Sequence, residues 1–215
     1  MIGLRLPEGP LEVLCLAAHP DDVEIGCGGT LLMLATRPGT TVTVATLTGT
    51  PERQDEARAA AQGFAPGASS RFWKLPDGRL PAHWGEAKQA FEDLASEVRP
   101  GLVLAPRRDD AHQDHRLVSE LVPTVWRDAL VLEYEIPKWD GDLAAVDTYV
   151  PVSPDTARRK VALLSQHYRS QVGRDWWDDE VFLGLMRLRG MECRSTYAEG
   201  FVARKSTLAL VEAPG

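Results

Sequence analysis

Short apolar runs alternate with longer amphipathic segments along most of the chain. The run Leu11–Ala18 is almost wholly apolar and Thr41–Leu47 is rich in β-branched residues, and both patterns indicate buried strands. The segment Pro51–Gln62 is rich in Ala, Glu and Arg, with Pro51 suited to a first helical position, and it predicts a helix. This alternation predicts an α/β fold with a mostly parallel sheet and helices on both faces.

The other segments continue the alternation. Further strands are predicted at Arg71–Leu75, Leu102–Ala105 and Leu130–Glu135. Further helices are predicted at Thr30–Thr36, Trp84–Val98, Arg116–Ala129, Pro154–Tyr168 and Glu180–Gly190. We expect a Gly-rich turn at Gly26, Gly28 and Gly29 and an irregular stretch at Ile136–Asp147. At 215 residues, the chain is predicted to form a single domain over residues 1–215.

Charge and composition narrow the class of partner. The chain has 24 Lys and Arg against 31 Asp and Glu, a formal net charge of −7, which disfavours nucleic acid and anionic membranes. No apolar run reaches the roughly 20 residues of a membrane span, and no signal peptide is recognisable. Three widely spaced cysteines do not make a disulfide framework, so we expect a cytoplasmic protein. The oligomeric state stays open.

Two polar loops follow predicted strands. The first places His19, Asp21, Asp22 and Glu24 directly after the first strand, and the second, Pro106–His115, carries two histidines and three carboxylates. Three of the five histidines of the chain lie in these two loops. Because ligands bind beyond the carboxyl ends of parallel strands, we expect the loops to meet at one edge of the sheet.

A divalent transition metal accounts for such a polar cluster. Two imidazoles and one carboxylate supply three ligands and leave a position for water, whose pKa falls to about 7 on the ion. A spare carboxylate and a spare imidazole would then serve as base and acid. The same donor set also describes an iron(II) oxygenase, and a non-catalytic sugar-binding or metal-binding module is a third interpretation.

The tryptophans bear on the substrate. Trp73, Trp84, Trp139, Trp176 and Trp177 each offer a face on which a sugar ring could stack. Tryptophans are more often core or interface residues, so packing is the favoured interpretation for the set as a whole.

The first loop also matches a known family signature. Its sequence from Ala18 to Gly26, AHPDDVEIG, followed by Gly28 and Gly29, resembles the opening motif of the LmbE-like, or PIG-L, zinc de-N-acetylases. The stretch from His112 to Arg116 resembles the second motif of that family. Weaker matches lie at Arg53–Glu56, Leu75–Gly78, Ser170–Gln171 and Tyr197–Phe201, so the resemblance spans roughly Leu11 to Phe201.

This resemblance implies a Rossmann-like metalloenzyme that hydrolyses the N-acetyl group of a small-molecule amino sugar of the GlcNAc type. By motif position, it implies that His19, Asp22 and His115 bind Zn²⁺, with another divalent transition metal as the alternative. It further implies that Asp21 is the general base that activates water.

The remaining roles follow from the same resemblance. His112 would stabilise the developing oxyanion or protonate the leaving amine, and Asp114 would orient the imidazole of His112. Arg53 would contact the substrate. Gln113 stands where many family members have proline, which changes the stiffness of the loop but removes no catalytic atom.

Overall fold

Seven strands form one sheet in the computed structural model, which describes residues 3–208. The strands are β1 (Leu11–Ala17), β2 (Thr40–Thr46), β3 (Ser69–Phe72), β4 (Leu102–Pro106), β5 (Leu130–Tyr134), β6 (Thr148–Val152) and β7 (Tyr197–Val202). The α-helices are α1 (Asp22–Leu34), α2 (Pro51–Phe64), α3 (Trp84–Glu97), α4 (Gln113–Val125), α5 (Pro154–His167) and α6 (Asp179–Glu192), and a 3-10 helix covers Leu80–His83. Within residues 3–208, no helix has both the length and the apolar character needed to cross a membrane.

The strands are arranged in the order β3-β2-β1-β4-β5-β7-β6. The first five are mutually parallel, whereas β7 runs antiparallel to both β5 and β6. The prediction of an α/β fold with a mostly parallel sheet is therefore confirmed. The sequence analysis missed β6 and β7, because β6 is mostly half-exposed and contains Pro151, and β7 carries Glu199 and Gly200 in its centre.

Helices cover both faces of the sheet. On β1, Val13 and Cys15 pack into the apolar cluster formed with α1, α2, α5 and α6. The alternate residues Leu14 and Leu16 pack into a second cluster with α3 and α4. Successive side chains of a strand point to opposite faces, so a strand covered on both sides must be apolar throughout, as the sequence of β1 is.

The order of the strands reverses between β1 and β4. The chain leaves β1 towards β2 on one side and later returns to β4 on the other side of β1. At such a reversal the loops beyond the carboxyl ends of the two strands diverge and open a crevice, which is where ligands bind in open α/β sheets. His19 lies just beyond β1, and the loop after Pro106 lies just beyond β4.

Helix α1 differs from its prediction. The sequence indicated a Gly-rich turn and then a helix at Thr30–Thr36, but the helix begins at Asp22 and runs through the glycines. Its backbone leaves the helical region only at Cys27, with φ of −144° and ψ of 26°. Gly26 permits close packing, because a Cβ there would lie 2.3 Å from the ring of Tyr134.

A buried ion pair satisfies the backbone groups freed at this kink. The carboxylate of Glu199 accepts the N–H groups of Gly29 and Thr30 at 2.7 and 2.6 Å. The ammonium of Lys160 donates to the carbonyl of Ile25 at 2.7 Å and to Glu199 at 2.7 Å. The pair thereby replaces helical hydrogen bonds that the kink breaks, because a buried backbone group without a partner is costly.

Helix α4 begins three residues before its predicted start at Arg116. His112 is its N-cap, and Nδ1 of His112 accepts the backbone N–H of Asp114 at 3.2 Å. Asp114 and His115 therefore lie in the first helical turn instead of in a loop. A helix fixes the direction of a side chain better than a loop does, which favours a precise site.

Candidate metal and catalytic site

The two polar loops meet at the reversal point of the sheet. The ring centroids of His19 and His112 lie 4.7 Å apart, those of His112 and His115 lie 4.8 Å apart, and those of His19 and His115 lie 5.2 Å apart. The expected convergence of the loops is thus what the structure shows. The three imidazoles each offer a nitrogen within 4.8 Å of the other two, close enough to share one cation.

Donor groups of three side chains form a compact triangle. His19 Nδ1 lies 3.2 Å from His115 Nε2, His115 Nε2 lies 3.3 Å from Asp22 Oδ1, and His19 Nδ1 lies 3.6 Å from Asp22 Oδ2. Ligands about 2.0–2.1 Å from a tetrahedral Zn²⁺ are separated from each other by about 3.3 Å. The spacing and the chemistry of these nitrogen and oxygen donors therefore fit a zinc-sized cation.

The carboxylate of Asp22 is held rigidly. Its Oδ2 accepts the backbone N–H groups of Ala18 at 3.0 Å and of His19 at 2.9 Å. These bonds fix the side chain and leave Oδ1 directed at His115. Asp22 is a better third donor than His112, because Nδ1 of His112 accepts the N–H of Asp114 and the proton of the neutral imidazole is then on Nε2.

The carboxylates around His19 and His115 favour positive charge on the two imidazoles. Burial alone lowers the pKa of His115, but the carboxylates of Asp22 and Asp110 outweigh it and raise the pKa to about 9. Burial lowers the pKa of His19, but the carboxylates of Asp22, Asp114 and Asp77 raise it more. The pKa of His19 therefore lies well above its usual range. A cation bound by these imidazoles would compete with protons for the same nitrogens, so binding of a cation is expected to release protons.

Asp114 lies against His19 rather than His112. Its Oδ2 is 3.3 Å from His19 Nε2 and accepts the N–H of Gly78 at 2.7 Å, and its Oδ1 accepts the N–H of Leu80 at 3.0 Å. The expected contact of the Asp114 carboxylate with the imidazole of His112 is thus replaced by a contact of the Asp114 backbone N–H. The Asp114 carboxylate, fixed by two backbone N–H groups, is thus in position to orient the imidazole of His19.

Asp77 is a second partner of His19 that the sequence did not single out. Its Oδ1 lies 3.0 Å from His19 Nε2, and its side chain is 73% exposed. His19, Asp77 and Asp114 also group closely enough to hold a cation. Both oxygens of Asp114 already accept backbone N–H groups, however. Asp77 and Asp114 are therefore better suited to orient His19 than to bind a cation with it.

Asp21 has a different set of contacts from its neighbour Asp22. Its backbone has a positive φ of 99°, and its Oδ2 accepts a hydrogen bond from Arg53 Nη2 at 2.8 Å. Arg53 also donates to the carbonyl of Pro20 at 2.5 Å. Burial raises the pKa of Asp21 to about 8, although the guanidinium of Arg53 opposes this rise. A buried carboxylate with a shifted pKa in a cleft is a candidate functional group.

A cleft of about 700 Å³ opens over these residues. It is lined by His19, Asp21, Asp22, Arg53, His112 and His115 on the inner side, and by Lys138, Trp139, Asp140, Arg174 and Trp176 among the outer residues. Trp139 is 76% exposed, whereas Trp177 is buried in the core. Of the five tryptophans considered, Trp139 and Trp176 line the cleft, so the packing interpretation is wrong for the exposed Trp139.

Two further residues of the site escaped the sequence analysis. Asp110 lies with Oδ1 at 3.1 Å from His115 Nδ1, and Lys138 Nζ donates to Asp110 Oδ2 at 2.8 Å. Burial works against the ionised form of Asp110, but His115 and Lys138 outweigh it and hold its pKa at about 2. Asp110 lies in the second polar loop, Pro106–His115, so its carboxylate could have been considered as a partner of His115. Lys138 lies in the irregular stretch, where no sequence pattern indicated a functional residue.

Known proteins resemble this chain in sequence. The family model described as PIG-L: GlcNAc-PI de-N-acetylase matches residues 14–126, more than half of the chain. A protein of Escherichia coli (strain K12), described as uncharacterized deacetylase YaiS, is 27% identical over 168 residues, which cover 72% of this chain and 89% of that protein.

Solved structures resemble it as well. The conserved protein TT1542 from Thermus thermophilus is 27% identical, with a TM-score of 0.73 over 95% of this chain and 100% of that chain. N,N'-diacetylchitobiose deacetylase from Pyrococcus horikoshii shares the fold at 22% identity, with a TM-score of 0.70 over 88% of this chain and 82% of that chain. Together with its two motif loops, these matches show that the chain belongs to the PIG-L family of de-N-acetylases and is a hydrolytic N-deacetylase.

Proposed function

We propose that the protein is a zinc-dependent hydrolase that removes the acetyl group from the nitrogen of a GlcNAc-type amino sugar or a small conjugate of one. We also propose that residues 1–215 act as one deacetylase domain. The observation that carries the proposal is the donor triangle of His19, Asp22 and His115 at the base of the cleft.

His19, Asp22 and His115 would hold the ion. When bound, a divalent cation polarises an amide carbonyl and lowers the pKa of water, which makes a nucleophile available at neutral pH. Asp114 and Asp110 support the two imidazoles from behind, at 3.3 Å from His19 Nε2 and 3.1 Å from His115 Nδ1. Such partners fix the orientation of a ligand and raise its basicity.

Asp21 is the proposed general base. Its carboxylate takes a proton from the attacking water and passes it towards the departing nitrogen. The backbone N–H groups that fix Asp22 do not contact Asp21, and Arg53 instead holds Oδ2 of Asp21 at 2.8 Å. Of the two adjacent carboxylates, Asp22 is thus available to bind the cation and Asp21 to accept the proton.

His112 is the proposed electrophilic partner. Burial, followed by the charges on His115 and His19, lowers its pKa, so the imidazole is neutral at pH 7 and donates from its N–H. This group would stabilise the oxyanion that develops on the amide carbonyl. Asp114 acts in this proposal by orienting His19, a change from the role that the family motif implied.

The cleft supports a sugar as the substrate. Its volume of about 700 Å³ accommodates more than a single acetamido group, and Trp139 presents an exposed indole at its mouth. The apolar face of a pyranose ring stacks on such an indole. Arg53 lies in the wall of the cleft beside Asp21, in position to meet polar groups of the sugar.

The proposal is tested by acetate release from a panel of N-acetylated amino sugars and their small conjugates. We expect release with zinc, loss of release after chelation and recovery when zinc is added back. Acetylated lysine peptides serve as the matched amide control and should stay intact. Deacetylation of the peptides but of no sugar would contradict the proposed substrate class.

The same assay separates the two alternative functions. An iron(II) oxygenase needs molecular oxygen, whereas hydrolysis of an amide does not, so equal rates under air and under nitrogen exclude the oxygenase. A binding module would bind sugar or zinc without releasing acetate from any member of the panel.

A further inference from the structure

The rim of the cleft is tied to the candidate metal site by a lysine. Lys138 Nζ donates to Asp110 Oδ2 at 2.8 Å and to the carbonyl of Ile136 at 3.1 Å, and it lies 3.0 Å from Asp142 Oδ2. Two of the three donors of this ammonium group are thus engaged in hydrogen bonds, and the carboxylate of Asp142 adds an ion pair. The side chain of Lys138 is only 15% exposed, which limits the competition from water.

Asp110 divides its two oxygens between the lysine and the site. Oδ2 accepts from Lys138, while Oδ1 lies 3.1 Å from His115 Nδ1 and accepts the backbone N–H of His112 at 2.7 Å. The residue is 1% exposed. A buried carboxylate keeps its charge only when cations and donors surround it, and Lys138 is the cation on the side away from the imidazole.

Asp142 completes the connection on the rim. Its Oδ2 accepts the N–H of Ala111 at 2.7 Å, and its carbonyl accepts from Arg107 Nη2 at 2.7 Å. Arg107 is itself 1% exposed. The loop that carries Asp110 is thereby fixed, on both sides of that residue, to the same segment that carries Trp139.

We propose that Lys138 is a positioning residue for the metal centre, which acts on His115 through Asp110. Lys138 holds Asp110 in the orientation in which its Oδ1 faces His115 Nδ1, so that the opposite nitrogen, Nε2, faces Asp22 and His19. The inference rests on the proposed function, because it assumes that His115 is a metal ligand. It also implies that the position of the segment from Ile136 to Asp142 affects how well the metal ligands are oriented.

Metal affinity tests the inference without reference to activity. Zn²⁺ affinity is measured by competition with a chromophoric chelator on the full chain. We expect Lys138→Met to weaken Zn²⁺ binding by about tenfold, the lower end of the range for partners of metal-binding histidines. Lys138→Arg, which keeps the charge, should recover most of the loss. Lys74→Met, a change at an exposed lysine, is the matched control and should bind as the wild type does.

A double-mutant cycle tests the route through Asp110. Asp110→Asn should also weaken binding, and Lys138→Met added to it should cause little further loss, because the partner through which Lys138 acts is gone. This double variant also removes both charges and remains testable if Lys138→Met folds poorly, as judged by circular dichroism. Additive losses, or a Lys138→Met variant with wild-type affinity, would overturn the inference alone. A wild-type chain that binds no zinc would refute the proposed function as well.

Discussion

Asp21, the proposed general base, has an unusual backbone conformation with a positive φ. Within residues 3–208, only Asp21 and Arg194 among the non-glycine residues have positive φ. A residue in such a conformation costs about 1–3 kcal/mol, and such residues cluster at functional sites. Here the conformation separates two neighbouring carboxylates, since Asp21 faces Arg53 and Asp22 faces the imidazoles.

Replacing Asp21 should remove turnover but not metal. We expect Asp21→Asn to lower kcat by about 10²–10⁴-fold, because the amide cannot accept the proton of the attacking water. Asparagine tolerates positive φ, so the fold should persist. Acetate release and zinc content are measured on the same sample. Full activity would show that Asp21 is not the base, and loss of zinc would assign it to the metal site.

Trp139 should affect substrate binding more than chemistry. We expect Trp139→Ala to raise KM severalfold for a sugar substrate with little change in kcat, because the exposed indole is lost from ground state and transition state alike. Trp84→Ala is the matched control, since Trp84 is 44% exposed and does not line the cleft. Equal kinetics for the two variants would remove Trp139 from the substrate site.

The sequence identified the two loops but not every contact within them. Residue types and spacing predicted that the two loops meet, whereas the choice of His19, Asp22 and His115 as ligands came from the family resemblance. In the structure, donor atoms of these three side chains approach each other to 3.2–3.6 Å. The partner of Asp114 was not predictable, because it depends on where the turn at Gly78 lies in space. Lys138 is also beyond a sequence argument, since it approaches from an irregular segment.

At the scale of elements, helix α1 carries the first loop and depends on a distant strand. Its kink at Cys27 frees backbone groups that Lys160 of α5 and Glu199 of β7 then satisfy. The sequence pattern predicted only the part of α1 from Thr30 onward, because Gly26, Gly28 and Gly29 were interpreted as a turn. The contact with Tyr134 that makes Gly26 suitable in the helix is long-range and has no local signal.

The ion pair at the kink should matter for stability. We expect Lys160→Met to lower the free energy of unfolding by about 3–5 kcal/mol, because it leaves the carboxylate of Glu199 buried without its cation. Urea unfolding measures the change. Lys88→Met, in a pair with Glu92 that is 51% exposed, should cost less than about 1 kcal/mol. A similar small loss for both variants would show that the kink does not depend on the ion pair.

At the scale of the whole molecule, the order of the strands creates the site. The reversal between β1 and β4 brings together two loops that are nearly a hundred residues apart in the sequence, as in the contact between His19 and His115. Alternating strands and helices predicted this arrangement in outline. The antiparallel pair β6 and β7 was not predictable, because polar and glycine residues interrupt the strand pattern of β7.

Zinc should stabilise the folded chain. A ligand at a thousand times its Kd stabilises the state that binds it by about 4 kcal/mol. For a chain of this size, that corresponds to a rise in Tm of about 8–16 °C. The measurement is thermal unfolding of the chelated chain with and without added zinc. An unchanged Tm for the wild type would contradict the metal site, and Asp22→Ala should abolish the shift.

The most direct test of the account is a crystal structure of the zinc-loaded protein with anomalous scattering recorded at the zinc edge. The account predicts one strong anomalous peak at the base of the cleft, bounded by Nδ1 of His19, Nε2 of His115 and a carboxylate oxygen of Asp22. A zinc-loaded crystal with no peak between these three side chains, or with its peak elsewhere in the molecule, would contradict it.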